Sequence, residues 1–302
     1  MHRLFLSVVL LSLGACASAP RSDGSTAGGR ETAAACFSVA SLSEVDRRVA
    51  DRVLLAFGDR EGLYTLAGGL KPISSDVGDV MLRVAPTVDS AALSELAQLR
   101  RVAAALQCGE IGTFVQVFTA PQVRRDSSVV RATSLVMYHR ASLRRAIARQ
   151  QPFFATLGLT PEADAREILA AVENAPRDAR WRGYGYLFGY PDDAVDFFVR
   201  AGIVGDSSKT LVPRDFRRVD TWLRFPEGAN GPRVLSSFVY AVPKGAGESE
   251  GDRALRSAAA PIYAEYVRRR AIGIQADSSG AIALWRAWLS AWLSGPLSAP
   301  RP

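Results

Sequence analysis

Apart from His2, this 302-residue chain carries one histidine, His139, so any chemistry that needs imidazole must use it. No Gly-x-Ser-x-Gly elbow occurs, and no lysine lies three residues after a serine. A serine nucleophile would therefore depend on His139, with no partner identifiable at a fixed spacing. Lys71 stands in Gly68-Gly69-Leu70-Lys71-Pro72-Ile73-Ser74-Ser75-Asp76, where a lone amine, two hydroxyls and an acid follow paired glycines. That segment reads either as a pocket-lining loop or as a plain surface turn. A second segment, residues 180–191 (RWRGYGYLFGYP), packs five aromatics and three glycines into twelve residues. One reading is a ligand-facing loop, with Tyr184 and Tyr186 stacking on a sugar or other planar group and Arg182 holding an anion. The other is a core-lining connection whose rings fill space between sheet and helices. Asp192, Asp193 and Asp196 could offer oxygen ligands to a hard cation, but acids just after Pro191 also suit the first turn of a helix. The candidate binding residues are thus Lys71, His139, Arg182, Tyr184, Tyr186 and Asp193.

Other chemistry is excluded. A Walker A loop is absent because no glycine immediately precedes any of the three lysines. Gly183 to Gly189 has the wrong spacing for a dinucleotide fingerprint and no obvious strand before it. No metal site and no cofactor are expected. Lys71, Lys209 and Lys244 are the only lysines, so 34 of the 37 cations are arginine, against 30 acids. Arginine forks suit phosphate, yet pairs such as Arg100-Arg101, Arg124-Arg125 and Arg217-Arg218 are scattered, with acids interleaved. No nucleic-acid stripe forms. A loose attraction to anionic lipid or a cell-wall polymer stays open.

The chain begins Met1-His2-Arg3 and continues with about ten apolar residues, too few to span a bilayer, which needs about 20. Leu13-Gly14-Ala15-Cys16 follows, and it resembles the lipobox of bacterial lipoprotein precursors. The resemblance implies cleavage after residue 15, so that 1–15 is a signal peptide, and a diacylglyceryl thioether with further acylation (palmitate among the chains) on Cys16. Ala17 stands where a signal for inner-membrane retention would show aspartate. An outer-membrane anchor facing the periplasm is therefore implied. Residues 16–35 form the lipidated N-terminus and a Ser/Ala/Gly-rich tether, whose reach by flexible-linker scaling is about 25 Å.

Cys36 and Cys108 remain. In an oxidising compartment an isolated pair reads as a disulfide, with two buried free thiols as the alternative.

The expected elements lie within residues 36–302 as one α+β domain, an antiparallel sheet covered by helices. Ser41 or Ser43 caps a helix to about Phe57; Asp89 or Ser90 caps one through Leu106. Residues 63–66 and 79–84 read as short strands, and 113–119 with 129–139 as a hairpin around a long polar loop. Helices are expected over 141–149, from Thr160-Pro161 to Asn174, from Pro191 to Ala201, over 253–270 with Pro261 kinking or splitting it, and over 279–293 with a Trp stripe. A strand is expected over 233–242. The functional expectation is a membrane-anchored lipoprotein binding an envelope component or partner protein. The rival is an envelope hydrolase with a cleft near residues 180–193.

Overall fold

A computed structural model describes residues 36–119, 121–223 and 238–294. The signal peptide, Cys16 and the tether lie outside the described residues, as do 233–237 of the expected last strand. The domain is α+β. It contains β1 (Ile73–Ala85), β2 (Ile111–Val117), β3 (Gln122–Val123) and β4 (Val129–His139), forming an antiparallel sheet in the order β1-β4-β2 with β3 also on β4. Ile111 stands opposite His139 and Val117 opposite Thr133, so the hairpin expected around the 121–128 loop is present. A second sheet pairs β5 (Arg214–Arg218) with β6 (Val239–Pro243).

The central strand is covered on both faces, which explains its unbroken apolar run. Leu135 and Met137 enter one core with α1 (Glu44–Asp59), α9 (Glu250–Gly273) and α10 (Ala281–Ser294). Val136 points to the other, built with α4 (Arg140–Arg149), α5 (Gln151–Phe154), α6 (Ala165–Asn174) and α7 (Arg177–Leu187). Successive strand side chains alternate between faces, so one strand serves both layers. A helix α3 (Ser90–Ala105) lays Ala92, Leu96 and Leu99 against Val80 and Leu82 of β1. Helix α8 (Asp192–Ser208) sets Phe197 and Ala201 against Ala241 of β6. No helix among the described residues is long and apolar enough to cross a membrane.

Several caps match the residues expected to make them. Ser43 accepts from the Asp46 amide, and Asp89 accepts from the amides of Ala91 and Ala92. Four expectations are corrected. Residues 63–66 form a one-turn helix, α2 (Leu63–Leu66), instead of a strand; all four side chains are buried, and so short an apolar run has no distinguishing period. The helix after Thr160-Pro161 starts later, behind Asp164, whose carboxylate accepts from the Arg166 amide. Pro261 does not split α9, which runs unbroken for 24 residues from a Ser249–Asp252 capping box. Finally, α8 continues through Gly202, where the Trp181 ring is seated.

Cys36 and Cys108 are disulfide-bonded across 72 positions. The bridge fixes the first described residue to the entry of β2, beside the paired backbone bonds of Cys108 and Ile111. Closing such a loop stabilises by about 4 kcal/mol in the chain-entropy picture. The paired substitution Cys36→Ser/Cys108→Ser should lower the urea-derived unfolding free energy by about that amount, with little change in circular dichroism at zero urea.

Candidate functional site

The segment read either as a ligand-facing loop or as a core-lining connection is mostly helix. Residues 177–187 form α7, which lies between α6 and α8. Its glycines allow close approach to neighbouring helices. A Cβ on Gly183 would stand 2.8 Å from Val172 of α6, and one on Gly185 would stand 2.7 Å from Val195 of α8. The helix then closes in a Schellman turn. The Tyr190 amide donates to the Gly185 carbonyl (3.1 Å) and the Gly189 amide to the Tyr186 carbonyl (3.1 Å), with Gly189 at φ +72°.

The aromatics of this segment are shared among neighbours. Tyr184 donates its hydroxyl to Glu173 Oε2 (2.6 Å), whose other oxygen accepts from the amide and hydroxyl of Thr119. Tyr186 packs edge-on against Phe153, with centroids 5.6 Å apart, and its hydroxyl accepts from Arg182 (3.0 Å). Arg182 is also paired with Asp196 of α8. Asp193 is exposed near Gly251, while its neighbour Asp192 accepts from Arg149 and Gln150.

Lys71 is neither on a surface turn nor at a pocket wall; its relative exposure is 0%. Its Nζ lies 3.2 Å from Glu61 Oε2, itself buried. The ammonium also sits 4.1 Å from the Phe188 ring centroid, 5.1 Å from Phe238 and 5.4 Å from Tyr190. Aromatic faces supply negative potential where water would otherwise solvate the cation. The Schellman turn is what delivers Phe188 and Tyr190 to this place. Sequence reasoning missed Glu61, because nothing in the spacing of two such residues announces a pair.

His139 lies just upstream of α4 and acts as its cap. Its Nδ1 accepts from the Ser142 amide (3.3 Å) and lies 3.2 Å from the Ser142 hydroxyl, while Arg145 donates to that hydroxyl (2.9 Å). Burial lowers the imidazole pKa below its ordinary 6.5; Glu110 opposes this, while Arg145 and Arg140 reinforce it. An unprotonated Nδ1 is what the cap requires. Ser142 is 3% exposed, and Gly69 lies against both it and the partly buried imidazole. The 68–71 segment thus runs from the partly buried His139 cap to the buried Lys71 box.

Two surface concavities lie elsewhere. One, of about 470 Å³, is lined by Arg177, Asp178, Trp181, Ile203, Asp206 and Ser207. The other, of about 540 Å³, is lined by Gln122, Val123, Arg124, Arg125 and Asp126 on the β2–β4 loop. Neither is lined by any of the six candidate residues. Among the described residues, no group of three or more His, Cys, Asp or Glu side chains could hold a metal ion. No protein-family model, curated protein or solved structure matches the chain.

Two measurements follow from this geometry. Removing one partner of a buried ion pair strands the other, so Glu61→Gln or Lys71→Ala should each cost about 3–5 kcal/mol in chemical denaturation. For His139, the folded state binds fewer protons than the unfolded state between its lowered pKa and about 6.5. Its contribution is therefore full above pH 6.5 and is lost as pH falls below that. Melting temperatures from pH 7.5 to 5 should fall more steeply for the parent than for His139→Asn, which removes that titration.

Proposed function

We propose that this chain is a lipid-anchored protein of the bacterial cell envelope, held at the outer membrane and facing the periplasm, with a domain that binds an envelope component or partner protein. The observation that carries this reading is the Cys36–Cys108 disulfide. A bridge of this kind persists in an oxidising compartment, where an exported lipoprotein would reside. It fastens the domain at the point where the tether from Cys16 would enter. The Leu13-Gly14-Ala15-Cys16 motif supports the anchor, because two or more acyl chains hold a protein stably where one is marginal.

Support for binding over hydrolysis comes from how the reactive side chains are used. Lys71 is paired in the core, His139 caps a helix through Nδ1, and Tyr184 is bonded to Glu173. The rival hydrolase, as read from the sequence, would have drawn on these groups, and each is engaged within the fold. The ligand of such a domain would be an envelope component or a partner protein.

Cell fractionation tests the anchor. The parent chain should appear in the outer-membrane fraction and take up radiolabelled palmitate. Cys16→Ser should abolish the label and give unprocessed precursor. Unchanged labelling and processing in the Cys16→Ser chain would refute lipidation at this residue.

A further inference from the structure

Strand β5 forms one half of a two-stranded ribbon, and its register with β6 runs without a break from Arg214 opposite Pro243 to Arg218 opposite Val239. Just outside that span, the Val219 amide donates to the Phe238 carbonyl (2.9 Å) and the Lys244 amide to the Pro213 carbonyl (3.4 Å). Hydrogen-bonded pairs alternate along an antiparallel ladder, so Asp215 and Arg217 also aim their main-chain groups at β6. Arg214, Phe216 and Arg218 therefore aim theirs the opposite way. Among the described residues no other strand pairs with β5, so the amides and carbonyls of these residues form an open edge.

The other strand edges are interrupted or closed. The register of β1 shifts at three places, and such irregularities turn an edge away from an incoming strand. On β2, the Gln107 side chain donates to the Thr113 carbonyl (2.9 Å), and Cys108 pairs with Ile111. On β6, Pro243 has no amide hydrogen, and Ala241 is buried against Phe197 and Ala201 of α8.

The side chains of the open positions share one face of the ribbon. Phe216, at its middle, is 59% exposed. Among the described residues, neither Arg214 nor Arg218 has a carboxylate at ion-pair distance. Arg217, on the other face, is held by Asp252 (3.7 Å). The acids of the segment are Asp215, which is also on that other face and accepts from the Gly245 amide (2.8 Å), and Asp220, which lies beyond the paired strand. With Asp220 counted, the Phe216 face still carries one more cation than acid. A second copy of the strand fits this pattern badly. Antiparallel pairing centred on Phe216 would set Arg214 against the other copy's Arg218 at both ends, and like charges directly opposed destabilise a ladder.

We propose that β5 accepts an extended segment of a partner protein as an added strand, one with acidic residues two positions before and two positions after an apolar residue. This names a partner class for the binding reading above and rests on that reading in expecting a partner. Main-chain bonds to Arg214, Phe216 and Arg218 supply affinity, and alternate side chains supply choice. The acids meet the two guanidinium groups, and the apolar side chain lies beside Phe216.

The probes are two fluorescein-labelled peptides, TETVTET and TKTVTKT, titrated against the full chain in a nonionic detergent and followed by anisotropy. The parent should bind TETVTET, more weakly as salt rises, and should bind TKTVTKT at least roughly tenfold less well. Arg214→Glu/Arg218→Glu, shown to be folded by its circular dichroism melt, should reverse that preference. Residue-resolved hydrogen exchange adds a reading that charge alone does not give. In the free parent, the amides of Arg214, Phe216 and Arg218 should exchange fast and those of Asp215 and Arg217 slowly; TETVTET should slow the first set. The proposal is overturned if the parent binds neither peptide or both equally, or if the charge-reversed variant keeps the parent's preference. Slow exchange at Arg214, Phe216 and Arg218 in the free chain would overturn it too, whether the edge is covered by the chain itself or by a second copy. Fractionation of the Cys16→Ser chain reads the anchor and these titrations read the strand edge, so the two readings fail separately.

Discussion

An ammonium group with no exposure to water organises the centre of this domain. Burying the Lys71 charge alone would cost several kcal/mol, and Glu61 together with three aromatic rings offsets that cost only if all of them arrive at once. They come from four separate places: the segment after α1, the turn before β1, the end of α7 and the residue before β6. A compact alternative that misplaces any one of these segments leaves a bare charge in the interior. The pair therefore penalises wrong arrangements more than it stabilises the right one.

The same logic recurs with arginine around the domain. Buried Asp59 accepts from Tyr266 and Arg270, tying α1 to α9. Asp46 accepts from Gln98 and Arg101, tying α1 to α3. Asp252 caps α9 and accepts from Tyr240 of β6. Beside Asp59, the rings of Tyr266, Trp285 and Trp288 stack with centroids 5.0–6.4 Å apart, and Gly58 leaves room for them. A chain with 34 arginines spends many of them on such ties, which is why overall charge said little about partners.

Local signals in the sequence were readable where the chemistry is local. Ser43 and Asp89 cap as their spacing suggested, Trp285 and Trp288 of α10 enter the core, and the two cysteines bond. The 180–191 segment misled because glycine between aromatics suits a loop as well as a close helix crossing; Val172 and Val195, which decide the matter, lie on other elements. Lys71 misled for a similar reason. A lysine after two glycines looks exposed until Glu61, Phe188 and Phe238 are brought to it, and the last of these is 167 positions away. Contacts between distant segments carry no period, and they determine the buried box.

In this account the reactive-looking side chains hold the domain together. The most direct measurement is amine accessibility, because Lys209 and Lys244 are exposed and Lys71 is not. Native protein treated briefly with an acylating ester and mapped by peptide mass spectrometry should carry label on Lys209 and Lys244, with Lys71 labelled only after denaturation. Labelling of Lys71 in the native protein at a rate comparable to the other two would contradict the buried box and reopen the case for an accessible nucleophile.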